Sequence, residues 1–476
     1  MTRQDICLAS VEELNVAYGN GSTSPVEAIE AVLDHVEMLD PILNAFCVID
    51  PETARMSARN SEERWNKKAP LSLLDGIPIS VKDLSVTKGW PTRRGSMAIS
   101  ENGPWEIDAP SVARCREAGA VIFGKTTVPE LGAKGVTYSH LCGTTRNPWN
   151  IAKTPGGSSG GAAASIAAGI GTIGLASDGG GSIRNPGALS GTFGFKPSFG
   201  VVPDFPLSYL GNLAVVGPIT RTVRDCAIAM SVISRPDARD PYAVPSLNQR
   251  FLSELTLGVR GLRIAYSRTL GYARVNPEIA ELVENAVATF EKLGATVEIV
   301  ESVIQNSKST LDTLMASGLA NAMVELGITA AQYDKMDPAL VRIAAHGRSL
   351  TLMEFLAARR AQDNFASQMR IFHECYDLLI TPMMPVTAFD IGLEAPDDPS
   401  IDANDWKPFS GLLNLTRQPG ATVPCGLSRA GLPVALQIIG PIYSDALVLR
   451  AAHAFECEHA FPRLPPNHLA NLAQGE

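Results

Sequence analysis

Between Pro155 and Ser182 the chain carries two glycine knots, Pro155-Gly156-Gly157-Ser158-Ser159-Gly160-Gly161 and Asp178-Gly179-Gly180-Gly181-Ser182-Ile183-Arg184, and no other feature constrains it so tightly. A small-residue run, Ala162 to Ala168, links them and reads as a helix. Thr172-Ile173-Gly174-Leu175-Ala176 then reads as a buried strand, being short, apolar and bounded by glycines. Two serines are thus placed on sharp turns. Glycines on each side let the backbone take positive φ or pass close to a ligand, and they leave consecutive N–H groups free to face one point. An oxyanion hole is made in this way.

The rest of the chain alternates helix and strand signals. Ser10-Val-Glu-Glu13 and Ser24-Pro25-Val26-Glu27 are capping boxes, the second with proline at the first helical position and Ile29, Val32, Leu33 and Val36 on one face. Leu43 to Asp50 reads as a strand, and Gly76 to Val81 as another that ends in Lys82-Asp83. A strand-end lysine is ordinarily a snorkelling one; only the downstream serines give Lys82 a chemical reading. Residues 234–258 form a surface excursion rich in proline and charge. Leu262–Tyr266, a helix started by Pro277 and stopped by Gly294, and Ala295–Val300 make a strand-helix-strand unit. Residues 303–375 read as helices that wall a pocket, Asp377–Pro382 returns to the core, and Asp390–Trp406 is an acidic loop suited to a lid. The alternation predicts an α/β fold, three-layer α/β/α with a central mixed twisted sheet flanked by helices. The expected organisation is one domain over 1–476, with a core at about 60–233 and 376–460 and a smaller lobe at about 259–375.

Charge and cysteine usage narrow the function. A chain of 476 residues that is 45% hydrophobic can bury a sizeable core. A net charge of −9 with no basic run argues against nucleic acid or an anionic membrane as partner. Eight cysteines lie far apart (Cys7, Cys47, Cys115, Cys142, Cys226, Cys375, Cys425, Cys457) without a C-x-x-C pair, which predicts reduced thiols and a cytoplasmic protein without a structural zinc. The N-terminus reads as no secretory leader, and Ala162–Ala176 is too short to span a bilayer.

Three local motifs fail on context. Gly119 to Thr126 matches the P-loop letter for letter, but its middle is an apolar strand and Pro129 spoils the helix that should follow. Gly169-Ile-Gly171-Thr-Ile-Gly174 follows a helix and precedes a strand, the reverse of the dinucleotide-binding order. Gly156-Gly-Ser158-Ser-Gly160 matches a nucleophile elbow, which would make Ser158 the nucleophile and require a downstream acid and histidine. Of the candidates His346, His373, His453, His459 and His468, the residues His373, His453 and His459 lie in amphipathic helical stretches and read as structural.

Gly156-Gly-Ser158-Ser-Gly-Gly161, the Asp178-x-Gly-Gly-Ser182-Ile-Arg184 segment, and Gly76-Ile-Pro-Ile-x-Val-Lys82-Asp83 together resemble the amidase signature family. Thr145-Arg-Asn-Pro-Trp149, Gly217-Pro-Ile-Thr-Arg221 and Leu432 to Gly440 extend the likeness over nearly the whole chain. The resemblance implies a Ser-Ser-Lys triad in which Ser182 attacks the carbonyl, Ser158 relays the proton and Lys82 is the base, with a cis peptide before Ser158. It also implies an oxyanion hole from the N–H groups of Gly179, Gly180, Gly181 and Ser182. The chemistry is coherent, because a serine needs a base within hydrogen-bond reach and a desolvated lysine supplies one without histidine. Ser177, Gly179, Gly187 and Ser190 depart from the family's usual residues; Gly179, which makes three glycines in a row, removes no hydrogen-bond donor.

The implied activity is hydrolysis of a carboxylic amide through an acyl-serine, on a small-molecule substrate with an apolar or aromatic acyl group. No metal or cofactor is implied, and a homodimer is allowed for. Carbamates, ureas and esters present the same electrophile. The amide-hydrolysing component of a glutamine-dependent tRNA amidotransferase, its A subunit, is a further alternative, although Asn212-Leu-Ala-Val215 stands where those proteins resemble Ser-Leu-Asp-Gln. A protein that only binds acids or amides is the remaining alternative.

Overall fold

Short apolar runs between glycine and proline breaks become strands, and capped amphipathic runs become the helices that cover them. The computed structural model describes residues 1–245, 250–459 and 461–462. Its strands are β1 (Phe46–Ile49), β2 (Pro78–Lys82), β3 (Val121–Thr126), β4 (Tyr138–Ser139), β5 (Gly143–Thr144), β6 (Ile173–Asp178), β7 (Phe193–Lys196), β8 (Val215–Thr220), β9 (Arg263–Tyr266), β10 (Thr296–Ile299), β11 (Leu378–Pro382), β12 (Gly420–Leu427) and β13 (Pro433–Ile439). Eleven of them join in the order β1-β3-β2-β6-β8-β7-β12-β13-β11-β9-β10, while β4 and β5 form a separate hairpin. The sheet is mixed. β2 runs parallel to both β3 and β6, β8 turns antiparallel to β6, and β9 runs parallel to β10 and β11.

Every residue of β2, β3, β8, β11 and β13 is buried. Strands buried on both faces need helices on both sides, and the expected mixed sheet flanked by helices is present. The two capping boxes expected at Ser10 and Ser24 start helices Val11–Asn20 and Pro25–Leu43. One boundary differs: the second helix runs through Pro41 to Leu43 and stops where Asn44 adopts a left-handed conformation, so the strand expected from Leu43 begins only at Phe46. Asparagine tolerates that conformation better than most residues. The strand-helix-strand unit β9, Pro277–Lys292 and β10 forms the edge of the same sheet through β11. Helices Lys308–Glu325, Pro338–Ser349 and Leu352–Phe372 follow it, and the first of these reaches the active-site cavity. Among the described residues, no helix is long and apolar enough to cross a membrane.

Candidate active site

β2 and β6 are parallel neighbours paired from Ile79↔Ile173 to Val81↔Leu175, so their C-terminal ends open on one edge of the sheet. Ligands of open α/β sheets gather at such edges. Lys82 closes β2 there, fully buried, and its Nζ donates to Ser158 Oγ at 2.8 Å and to the Ser177 carbonyl at 3.1 Å. Burial lowers its pKa to about 7, against the opposing charge of Asp178. A lysine in this state is largely neutral just above pH 7 and accepts a proton.

Ser158 stands just before the helix Gly160–Ala167, and the Gly157–Ser158 peptide is cis. The glycines at the start of this helix permit close packing: a Cβ on Gly160 would lie 2.2 Å from Thr137 Oγ1, and one on Gly161 2.5 Å from the Ala45 carbonyl oxygen. The Ser159 N–H donates to the Ser182 carbonyl at 3.2 Å, which ties the two serine turns together.

Ser182 lies on the turn between β6 and the helix Arg184–Ser190. That turn is anchored from beneath. The Asp178 carboxylate accepts from the N–H groups of Gly181 (2.7 Å) and Ile183 (3.1 Å) and pairs with the Arg184 guanidinium, both side chains being fully buried. Arg184 also donates to Gln437 Oε1 and Asn414 Oδ1, each at 2.8 Å, and Asn414 returns a bond to the Asp178 carbonyl at 2.9 Å. Burial would raise the Asp178 pKa, but Arg184 outweighs it and holds the carboxyl well below its usual range. One of the expected N–H donors is taken up here: the Gly181 N–H bonds to Asp178, while Gly179, Gly180 and Ser182 line the cavity.

Ser158, Ser182, Gly179 and Gly180 line one cavity of about 290 Å³. Of the apolar residues near the catalytic stretch, Leu131, Leu207, Tyr209 and Leu210 wall it, whereas Val136, Tyr138 and Phe205 do not. Val136 packs in a cluster with Met383 and Trp406, and Tyr138 is exposed on β4. Charged side chains also reach the cavity. Arg94 and Asp204 enter from loops and Glu325 from the helix Lys308–Glu325, which also brings Met315. Burial and the neighbouring Asp240 raise the Asp204 pKa to about 7, with Arg94 opposing. Their positions along the chain form no pattern with the serines, because loop paths and not periodicity bring them in. No residue of the Asp390–Trp406 loop lines the cavity, so that loop is no lid in this conformation.

The rejected motifs have structural homes. Lys125, of the P-loop-like run, is buried in β3 and pairs with Asp83 at 3.0 Å. His373 is half-buried against the Tyr376 carbonyl, His459 meets the Cys425 carbonyl, and neither they nor His346 and His453 line the cavity; His468 lies outside the described residues. Among the described residues no group of three or more His, Cys, Asp or Glu side chains is placed to hold a metal.

A mixed sheet flanked by helices, with two serines on one cavity and a buried lysine bonded to the first of them, is the arrangement of a serine-type hydrolase. The amidase family profile matches residues 27–449, and the chain belongs to the amidase signature family. The acylamidase of Rhodococcus erythropolis is 34% identical over 465 residues, covering 96% of each chain. The A subunit of the glutamyl-tRNA(Gln) amidotransferase of Myxococcus xanthus (strain DK1622) is 34% identical over 477 residues, covering 95% of this chain and 97% of that one. The crystal structure of a bacterial aryl acylamidase of the family superposes with a TM-score of 0.90 at 30% identity, covering 98% of this chain and 99% of its own. The protein is a serine amidase that hydrolyses carboxylic amides.

Proposed function

We propose that Ser182 is the nucleophile, Ser158 the proton relay and Lys82 the base, acting on a small amide with an apolar or aromatic acyl group. The observation that carries the assignment is the 2.8 Å bond from a buried, charge-disfavoured lysine to Ser158, in a cavity that also contains Ser182. Ser182 Oγ adds to the amide carbon as its proton passes to Ser158, whose own proton passes to Lys82. The developing oxyanion takes bonds from the N–H groups of Gly179, Gly180 and Ser182. Collapse of this intermediate breaks the C–N bond, the leaving nitrogen takes the proton back along the same path, and an acyl-Ser182 remains. Water, deprotonated by the same relay, then attacks the acyl carbon and frees the acid and Ser182.

Size and lining support the substrate class. A cavity of about 290 Å³ stands at the low end of the roughly 300–1,000 Å³ usual for ligand pockets, which suits a single ring or short chain. Leu84, Leu131, Leu210 and Met315 supply its apolar wall. The names of the relatives, acylamidase and aryl acylamidase, point the same way. A second reading, release of ammonia from glutamine, draws on the amidotransferase relatives and on Arg94 and Asp204, a cation and an acid able to meet an amino acid's charged ends.

The test has two arms. A fluorophosphonate probe followed by peptide mapping is expected to label Ser182, slowly in Ser158→Ala and not at all in Ser182→Ala; an adduct on Ser158 overturns the triad roles. A panel of anilides, short acyl amides, esters, carbamates and glutamine, followed by mass spectrometry, is expected to show fastest turnover of anilides. Faster release of ammonia from glutamine selects the second reading.

A further inference from the structure

The sequence scatters its eight cysteines, yet the fold brings two of them into contact on the far side of β2 from the serines. Cys47 comes from β1, and Cys142 from the turn joining β4 to β5. Their thiols lie side by side, and the Cys47 thiol donates to the Lys125 carbonyl oxygen at 3.5 Å. The Cys142 backbone is held in place: its N–H donates to Ser139 Oγ at 3.0 Å, and its carbonyl accepts from Asn44 Nδ2 at 2.6 Å. Both side chains line a cavity of about 330 Å³ with Asp83, Arg93 and Glu101, and this cavity shares no residue with the amide site. Both residues are half-buried and line the cavity wall, where a small solute reaches them.

We propose that Cys47 and Cys142 are a dithiol modification site, which hydroperoxides convert to an intramolecular disulfide. Cys142 is the attacking sulfur: the Cys47 thiol holds its proton on the Lys125 carbonyl, whereas Cys142 has the Arg93 guanidinium beside it in the same cavity. The thiolate attacks one peroxide oxygen, the O–O bond breaks, and the departing hydroxide (or alkoxide) takes a proton, leaving Cys142 as a sulfenic acid. The Cys47 sulfur then attacks the Cys142 sulfur, the S–O bond breaks, and hydroxide leaves with the Cys47 proton as water. Two thiols and one hydrogen peroxide thereby give one disulfide and two waters. The other six cysteines offer an internal comparison: Cys375 and Cys457 are exposed, and Cys7, Cys115, Cys226 and Cys425 are buried.

The experiment treats the full chain with hydrogen peroxide, blocks remaining thiols with iodoacetamide, and maps peptides by mass spectrometry. The expected result is loss of alkylation at Cys47 and Cys142 together, a cross-linked peptide pair lacking two hydrogens, and recovery of both thiols with dithiothreitol. Alkylation of both after Cys375 and Cys457 have been oxidised overturns the proposal, as does a cross-link from either to another cysteine. In Cys47→Ser, which keeps amide hydrolysis as a check on folding, oxidation is expected to stop at a Cys142 sulfenic acid that dimedone traps. A Cys142 that stays reduced in that variant overturns the assignment of the attacking sulfur and with it the proposal.

Discussion

The Asp178 carboxylate and the Arg184 guanidinium meet as a fork, Nε to Oδ2 and Nη2 to Oδ1 each at 3.0 Å, with no solvent exposure on either side. The pair fastens the Ser182 turn to the end of β6, so its chemistry is to position and not to react. Replacing such a pair whole is often harmless, whereas removing one partner strands a buried charge at about 3–5 kcal/mol. Arg184→Met is expected to cost that much at pH 7, read from the urea unfolding midpoint. The Asp178 pKa is depressed in the fold, so its contribution is present above the unfolded value near 3.9 and is lost as pH falls further. The gap between wild type and variant is therefore expected to close below pH 4. A cost under about 1 kcal/mol at pH 7 would contradict the anchoring role.

Adjacent glycines in the same turn are expected to differ sharply. Gly181 has φ of 107°, and a Cβ there would lie 2.5 Å from Ser410 Cβ and 2.7 Å from the Asn185 amide. Gly180 has no such φ, and its Cβ would find Met315 Sδ at 3.4 Å, an ordinary contact with a pliable side chain. Gly181→Ala should lose about 2 kcal/mol or more of stability and most activity. Gly180→Ala should keep its melting temperature and its N–H, with a change confined to KM. Equal melting temperatures for the two variants would mean the turn is less rigid than its geometry requires.

Lys82 carries a stability cost that its removal should reveal. Its folded pKa is about 7 against 10.5 for the free side chain. Between those values the unfolded chain holds a proton that the folded chain lacks, so this residue makes stability rise with pH across that window. Below pH 7 the folded state bears the buried charge in full. Lys82→Met should abolish activity yet raise the melting temperature, most at pH 6 and least near pH 10. A variant less stable than wild type at pH 6 would show that the lysine's hydrogen bonds outweigh its desolvation.

The turns that carry Ser158 and Ser182 are legible in the sequence because glycine runs are local signals, whereas Lys82 is singled out only by the downstream serines and the family resemblance. β2, β6 and the helix after Pro277 follow from apolar runs and their breakers, since those forces act within a few residues. Arg94, Asp204 and Met315 are not legible: each reaches the cavity on a loop or distant helix whose path depends on the packed sheet. The Gly181 N–H escapes a sequence reading for a related reason. A run of glycines shows that N–H groups are available, but only the placement of Asp178 beneath the turn shows which one is consumed.

Two groups at the site, Asp204 in the cavity wall and Lys82 buried behind Ser158, titrate near neutrality, which makes the pH dependence a sharper test of the base. Lys82 is lowered to about 7 and Asp204 raised to about 7, so both lose a proton over the same range. If neutral Lys82 is the base, kcat/KM rises with pH on one limb centred near 7, since the protonated form cannot accept the proton relayed by Ser158. Asp204→Asn removes the second titration and should leave that limb in place; a limb that vanishes there would transfer the dependence to Asp204. Lys82→Arg completes the argument, because arginine keeps the positive charge and much of the shape but does not deprotonate at these pH values. A positioned base is worth roughly 10²–10⁴ in rate, so Lys82→Arg should fall at least that far and lose the limb. Activity above about a tenth of wild type would leave Lys82 an electrostatic or packing role and no part in proton transfer.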